Sequence, residues 1–247
     1  DIELIWDGSE VRRKFFDSLL SQIDHAYLED LIVYATYLKQ RNSALKLFAE
    51  RGAIDQDLLA GYDQKIIPAA KRIFSKRGEF LKEFLPAFQQ HYKNLADSKD
   101  EVMSIQYRSD LEDNDFETLL AGNLNRDVVL QRTSTGIHRD DFLFLLNNNE
   151  VKRFGSQGQQ KSFLIGLKLA EFQCIAERKK FKPLLLLDDI FDKLDDNRIR
   201  KIMQFVAEGM FGQLFITDAR PARCLELLKE TNLKAGLVNI ENGTFVK

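Results

Sequence analysis

The stretch Leu184-Leu185-Leu186-Leu187-Asp188-Asp189-Ile190-Phe191-Asp192-Lys193-Leu194-Asp195-Asp196 runs four leucines straight into paired carboxylates. A short apolar run of this kind fits a strand buried on both faces, as in a parallel α/β sheet. Carboxylates at the carboxyl end of such a strand stand where α/β folds bind ligands. Two adjacent acids there point to a magnesium site and a general base beside a nucleotide phosphate. The competing reading is two exposed acids in a strand-to-helix loop. The chain has no Gly-x-x-x-x-Gly-Lys-Ser/Thr loop to hold that phosphate.

Working outward, the second half alternates between strand and helix patterns. Val102–Tyr107 and Asp141–Asn147 read as strands, the latter closed by Asn147-Asn148-Asn149. Phe116–Asn125 reads as a helix. A helix from about Gln159 to Arg178 precedes the leucine run. After it come a helix from about Asp195 to Glu208, a Gln213–Thr217 strand, a helix from about Ala222 to Lys229, and a Leu237–Val246 hairpin around Asn242-Gly243. This alternation implies a mostly parallel sheet.

The first half reads helical. Glu10–Leu20 and Tyr27–Phe48 carry apolar residues at helical spacing. After the Arg51-Gly52 break, Gln56–Tyr92 places Leu59, Tyr62, Ile66, Ala70, Ile73, Phe80, Phe84 and Phe88 in one stripe, with Lys65, Arg72, Lys76 and Glu79 roughly opposite. The last two segments predict an antiparallel helical hairpin, with Pro68 and Pro86 expected to kink or divide its second helix. The Ala96–Asp100 break sets a boundary between a helical arm, residues 1–98, and an α/β domain, residues 99–247.

The 247 residues, 44% hydrophobic, suffice for a sizeable core. A net charge of −2, from 36 basic and 38 acidic side chains, does not mark the whole chain for a polyanion. Any nucleic-acid surface must therefore be local. Candidate clusters are Arg12-Arg13-Lys14, Lys65/Arg72/Lys76 and Arg178-Lys179-Lys180-Lys182. Each could meet DNA phosphates, and each also matches a solvated helix face or end. Cys174 and Cys224 have no metal or redox spacing and read as reduced core thiols of a cytosolic protein. No apolar run approaches a membrane span, and no signal-peptide pattern stands at the start. The start at Asp1 without Met suggests a fragment.

Phe154-Gly155-Ser156-Gln157-Gly158-Gln159-Gln160-Lys161 precedes an apolar helix. Ser156 can cap that helix, and its free N–H groups suit a phosphate. An ordinary capped helix start looks much the same. The order of this turn, one helix and then the Asp188-Asp189 strand is more telling. Ser156–Gln159 resembles the signature motif of ABC-type ATPases, Leu184–Asp189 their Walker B strand, and Phe191–Asp195 their D-loop. Gly8-Ser9-Glu10-Val11-Arg12-Arg13-Lys14-Phe15-Phe16-Asp17, Lys39-Gln40-Arg41-Asn42 and Thr135-Gly136-Ile137-His138-Arg139-Asp140-Asp141 narrow the resemblance to the bacterial RecF family, in the SMC-like group of ABC ATPases. It covers essentially the whole chain.

The resemblance implies an ABC-type ATPase half-sheet with an α-helical hairpin arm, lacking the Walker A region. It implies ATP and Mg2+ as cofactors of the full-length protein. Asp188 would hold magnesium through water, and Asp189 would stand where many ABC proteins place a glutamate base. Ser156, Gly158 and Gln159 would bind, in trans, the γ-phosphate of ATP held by the other protomer. Asp195 would be the D-loop acid, though as a bare residue it is equally a helix cap. Asp218 follows the Gln213–Thr217 strand, where transporter-type ABC ATPases carry a switch histidine. Lys65, Arg72 and Lys76 are the candidate DNA contacts. The family implies an ATP-dependent homodimer on DNA near single-strand/double-strand junctions, working with RecR and RecO to load RecA in the cytoplasm. Residues 1–247 alone are expected not to hydrolyse ATP. The alternatives are a non-catalytic scaffold with a vestigial ATPase surface, or another SMC-like DNA-repair ATPase. His138 gains interest from the resemblance without gaining a role; His25 and His91 carry no supporting pattern.

Overall fold

The computed structural model describes residues 2–96, 100–188, 195–219, 222, 225–226, 229–230, 235–241 and 243–246. The chain forms two compact units, residues 1–179 and 180–247.

Unit one opens with a short helix α1 (Glu3–Trp6), then α2 (Ser9–Ile23), α3 (His25–Arg51) and α4 (Gln56–Leu95). Asp24 and Asp55 cap α3 and α4 by accepting the N–H groups of Tyr27 and Leu58. Gly52, at φ 69°, closes α3 in the left-handed conformation. The helix α4 runs unbroken through both prolines. Pro68 and Pro86 lie on its exposed side, as do Gln64 and Lys82, whose carbonyls each lose an N–H partner to the proline four residues on.

Next come β1 (Met103–Arg108), α5 (Phe116–Gly122), α6 (Leu124–Leu130), a 3-10 turn (Ile137–Arg139), β2 (Asp141–Leu146), β3 (Asn149–Glu150), α7 (Val151–Phe154) and α8 (Gln157–Lys179). The expected Phe116–Asn125 helix is thus two short ones, divided at Asn123. Strands β1, β2 and β3 are antiparallel, with Met103 opposite Leu146 and Arg108 opposite Asp141. Asn147 and Asn148, both at positive φ, make the two-residue turn into β3.

The arm does not stand apart from this sheet. Phe16 of α2 stacks on Phe142 of β2 at 4.1 Å, and Phe88 of α4 meets Phe163 of α8 at 4.8 Å. Ile73, Phe84, Ile105, Phe144 and Leu167 join the same core. The two compact units meet at 179/180, and within the first of them one core continues across the Ala96–Asp100 break. A smaller cluster of Ala44, Leu45, Phe48 and Leu59 binds the far end of the hairpin. Cys174 is a free, partly buried thiol packed against the main core, its pKa raised by burial; Cys224 lies outside the described residues.

Unit two contains β4 (Leu184–Asp188), α9 (Asp196–Ala207), β5 (Gln213–Thr217) and a hairpin of β6 (Asn239–Glu241) and β7 (Thr244–Val246). Among the described residues, parallel pairing is confined to β4 and β5, with Leu184 opposite Gln213 and Asp188 opposite Thr217. Leu184, Leu186 and Phe215 remain 59%, 71% and 49% exposed. Within this chain, the β4 face that carries Leu184 and Leu186 is left uncovered. Alternate side chains of a strand point to opposite faces, and here one face is open. The expected Ala222–Lys229 helix falls largely outside the described residues.

Candidate functional site

Three constellations carry chemistry, two in unit one and one in unit two. The first is the turn into α8. Ser156 N–H donates to Gln159 Oε1 at 2.7 Å, and Gln159 N–H donates to Ser156 Oγ at 3.2 Å. This reciprocal capping box satisfies two groups at the helix start. By helix geometry the N–H groups of Gln157 and Gly158 have no intrahelical acceptor. They lie at the positive end of a 23-residue helix, suited to an anion. Gly155 permits the turn, since a Cβ there would stand 2.7 Å from the Val151 carbonyl oxygen. Gln159 Nε2 also donates to Glu101 Oε1 at 2.9 Å, which fixes its side chain. Ser156 is exposed, and beside it Phe154 is 66% exposed. The turn is thus an assembled, outward-facing helix start of a kind that suits an anion.

The second constellation is at the carboxyl ends of β4 and β5. Asp188 is exposed and accepts a hydrogen bond from the Thr217 hydroxyl of the neighbouring strand. A carboxylate and a hydroxyl at one strand end are hard oxygen donors of the kind that hold a hydrated magnesium ion. Asp188 and Thr217 supply two such donors, and no group of three or more His, Cys, Asp or Glu able to hold a metal occurs among the described residues. Asp189, the expected base, and Phe191–Leu194 of the D-loop stretch lie outside the described residues. Asp195 caps α9: its Oδ1 accepts the Arg198 N–H at 3.0 Å, and its Oδ2 pairs with the Arg198 guanidinium. Partial burial opposes ionisation, but these bonds hold its carboxyl below the usual range. Asp218, just past β5, is half-buried.

The third constellation is a buried polar network that the sequence reading missed. Arg77, 2% exposed, sits in the apolar stripe of α4 between Ile73 and Phe80. It donates to Asp17 through Nε (3.0 Å) and Nη2 (2.9 Å), and through Nη1 to the Ile137 carbonyl and Asp140 Oδ2, both at 2.9 Å. Arg41, 1% exposed, donates to Asp63 (2.9 Å), Asp127 (3.0 Å) and Thr133 (2.8 Å). Asn42 Oδ1 accepts both the N–H and the hydroxyl of Thr133. Arg12 grips Asp141 with two bonds of 2.8 and 2.9 Å, and Arg13 donates to the Asp140 carbonyl at 2.6 Å. A charged residue at an apolar-stripe position is the signal that would have found Arg77 and Arg41. The Gly8–Asp17 and Thr135–Asp141 stretches thus meet each other around Arg77, while Arg41 and Asn42 of the Lys39–Asn42 stretch meet Thr133, two residues before the Thr135–Asp141 stretch.

The basic clusters read differently once their partners are known. Arg72 binds Asp30 with a closest approach of 2.6 Å, and Lys76 stands 3.3 Å from Asp24. Of the α4 candidates, Lys65 is exposed with no ion pair to a described residue. Arg12 and Arg13 turn inward, and Arg178 pairs with Glu83.

His138 is part of the frame. Its Nδ1 lies 2.7 Å from the Tyr34 hydroxyl and its Nε2 3.1 Å from the Thr133 carbonyl. The carbonyl can only accept, so Nε2 carries the proton and Nδ1 accepts from Tyr34. Burial pushes its pKa down to about 4. A depressed histidine contributes stability that is complete above about pH 6.5 and declines as pH falls toward about 4, because the unfolded chain takes up the proton first. His138→Gln should therefore be less stable than the parent at about pH 7.5, with the gap narrowing by about 2 kcal/mol near pH 5. Urea unfolding at the two pH values measures this; a constant gap refutes it.

No family model matches the chain. Curated relatives do, among them the "DNA replication and repair protein RecF" of Flavobacterium johnsoniae, 46% identical over 97% of this chain and 67% of its own length. The chain belongs to the RecF family. The RecF proteins of Cytophaga hutchinsonii and Azobacteroides pseudotrichonymphae are 47% and 41% identical, over 90% and 99% of the chain and 59% and 66% of their own lengths. The chain thus spans about two thirds or less of the RecF relatives it matches. Among solved structures it resembles the recombination mediator protein RecF-ATPrS in the RecFOR pathway, with a TM-score of 0.82, 28% identity, and coverage of 99% of this chain and 64% of that one. The corresponding RecF-ATP structure matches with a TM-score of 0.76, 30% identity, and coverage of 90% and 60%. The fold is that of the ABC-type ATPase head with a helical arm. No helix among the described residues is long and apolar enough to cross a membrane.

Proposed function

We propose that this chain carries the in-trans half of a RecF-type ATP site and acts in an ATP-dependent homodimer that binds DNA during gap repair. The observation that carries the reading is the Ser156–Gln159 capping box, which presents Ser156 and the Gly158 N–H outward at a helix start. Such a turn binds phosphate oxygens through N–H groups and a hydroxyl, and here it would meet the γ-phosphate of ATP on the partner protomer. A ligand shared by two copies of one surface closes a symmetric dimer and stabilises it in proportion to its affinity.

At the strand end, Asp188 would hold magnesium through water and Asp189 would orient the attacking water. The ion, when bound, would neutralise charge on the phosphates. Asp is one methylene shorter than Glu, which fits slow turnover. The phosphate loop would come from the part of the RecF length that this chain does not span. The names of its relatives support a place in DNA replication and repair. We extend this to single-strand/double-strand junctions, to RecR and RecO as partners, and to RecA loading.

Ser156→Arg in the complete gene product tests the site. A guanidinium stem would block the turn, and ATP-dependent dimerisation should weaken by at least about 100-fold, or about 2.7 kcal/mol. Sedimentation with and without ATP reads this directly. Dimerisation as strong as in the parent would sink the assignment.

A further inference from the structure

Residues 126–141 hold three arginines and three aspartates, and their formal charges cancel. The fold sorts them. Each acid is bonded inward: Asp127 to Arg41 and Ser134, Asp140 to Arg77 and Tyr107, Asp141 to Arg12. Each arginine, Arg126, Arg132 and Arg139, is exposed, and none pairs with a described carboxylate. A segment neutral in sequence thus presents a cationic surface.

The three arginines stand on consecutive segments whose backbone is tied together. On α6, Arg126, Val129 and Leu130 lie within about 100° of one another around the axis and are exposed, while Asp127 is buried. Past the helix end, Arg132 N–H donates to the Asp127 carbonyl at 3.0 Å, folding Arg132 back against α6. His138 Nε2 bonds the Thr133 carbonyl, tying the neighbours of Arg139 and Arg132 together. Val129 is 81% exposed between the first two arginines.

We propose that Arg126, Arg132 and Arg139 form the surface of this chain that contacts the DNA phosphate backbone, in place of the α4 cluster. The inference rests on the DNA-binding part of the function proposed above. Three observations favour nucleic acid. The cations are arginines, whose planar fork binds phosphate with paired hydrogen bonds. Their backbone is held by the buried Arg41–Asp127–Thr133 contacts, so little ordering is lost on binding. By contrast, Arg72 and Lys76 would have to leave Asp30 and Asp24 before meeting a phosphate. Val129 adds an apolar contact for sugar edges.

The test is fluorescence anisotropy of a labelled DNA duplex against the complete gene product with ATP present, from about 50 to about 200 mM salt. The slope of log K on log salt falls by about 0.9 for each phosphate that a variant no longer neutralises. The triple variant Arg126→Gln/Arg132→Gln/Arg139→Gln should lose about two to three units of slope and bind at least about tenfold more weakly. The triple variant Lys65→Gln/Arg72→Gln/Lys76→Gln should lose no more than about one unit, from Lys65. All six side chains are exposed, so matching thermal unfolding shows that both variants fold. Parental affinity and slope in the first variant, with DNA binding intact in the parent, overturn this surface and leave the proposed function standing. The same holds if that variant instead loses binding to polyglutamate, which assigns the arginines to an acidic protein partner. A parent that binds no duplex removes both proposals.

Discussion

Arg77→Met should lower the unfolding free energy of the first unit by about 3–5 kcal/mol. The guanidinium is 2% exposed and makes four bonds of 2.9–3.0 Å to Asp17, Asp140 and the Ile137 carbonyl. Methionine fits the apolar stripe and fills much of the volume, so packing is not the main loss. What remains is Asp140 at 2% exposure and Asp17, both without their counter-ion. Removing one partner of a buried pair leaves a desolvated charge, which costs far more than the pair contributes over an apolar replacement. The control lies five residues away on the same helix. Arg72→Met removes an exposed bidentate pair with Asp30 and should cost no more than about 1 kcal/mol. Urea unfolding followed by circular dichroism compares the two. Equal losses would mean that burial does not set the cost.

That contrast marks how far the sequence can be read. Apolar spacing located α2, α3, α4, α8 and the strands, because each buries one face and the period records which. The capping role of Ser156 was legible for the same reason, since a helix start needs acceptors for its N–H groups. Long-range ion pairs leave no such trace. Arg72 and Asp30 are 42 residues apart, and nothing in either neighbourhood announces the other. The cluster on α4 therefore looked free when two of its three charges are matched. Arg126, Arg132 and Arg139 were overlooked because interleaved aspartates cancel them in any local count. Only the inward bonds of those aspartates separate the signs. The leucine run is a different case. Leu184–Leu187 has the composition of a strand covered on both sides, and Leu184 and Leu186 are open in a chain that spans only about two thirds of the RecF length. Composition reports what a strand can bury, while cover depends on which elements lie beside it.

Asp127→Ala should destabilise the first unit by about 3–5 kcal/mol and, against the simple charge count, weaken DNA binding. Asp127 is fully buried and holds Arg41 Nη1 at 3.0 Å, the Ser134 N–H at 2.9 Å and the Ser134 hydroxyl at 2.6 Å. Without it, Arg41 keeps Asp63 as its counter-ion, on a partly exposed side of the network. Two donors of Ser134 lose their acceptor as well, and buried donors left unpaired each cost about 1–3 kcal/mol. The effect on binding has a sign that separates two accounts. If polyanion affinity follows net charge alone, deleting an acid next to Arg126 must strengthen it. If affinity depends on arginines held in one arrangement, loosening the turn that carries Arg132 and Arg139 must weaken it, because ordering the loop is then charged to the binding step. Measured below the unfolding midpoint, at a salt concentration where the parent binds a labelled duplex, weaker binding by about threefold or more supports the held arrangement. Tighter binding in the folded variant would show that the sorted charges act only as a sum.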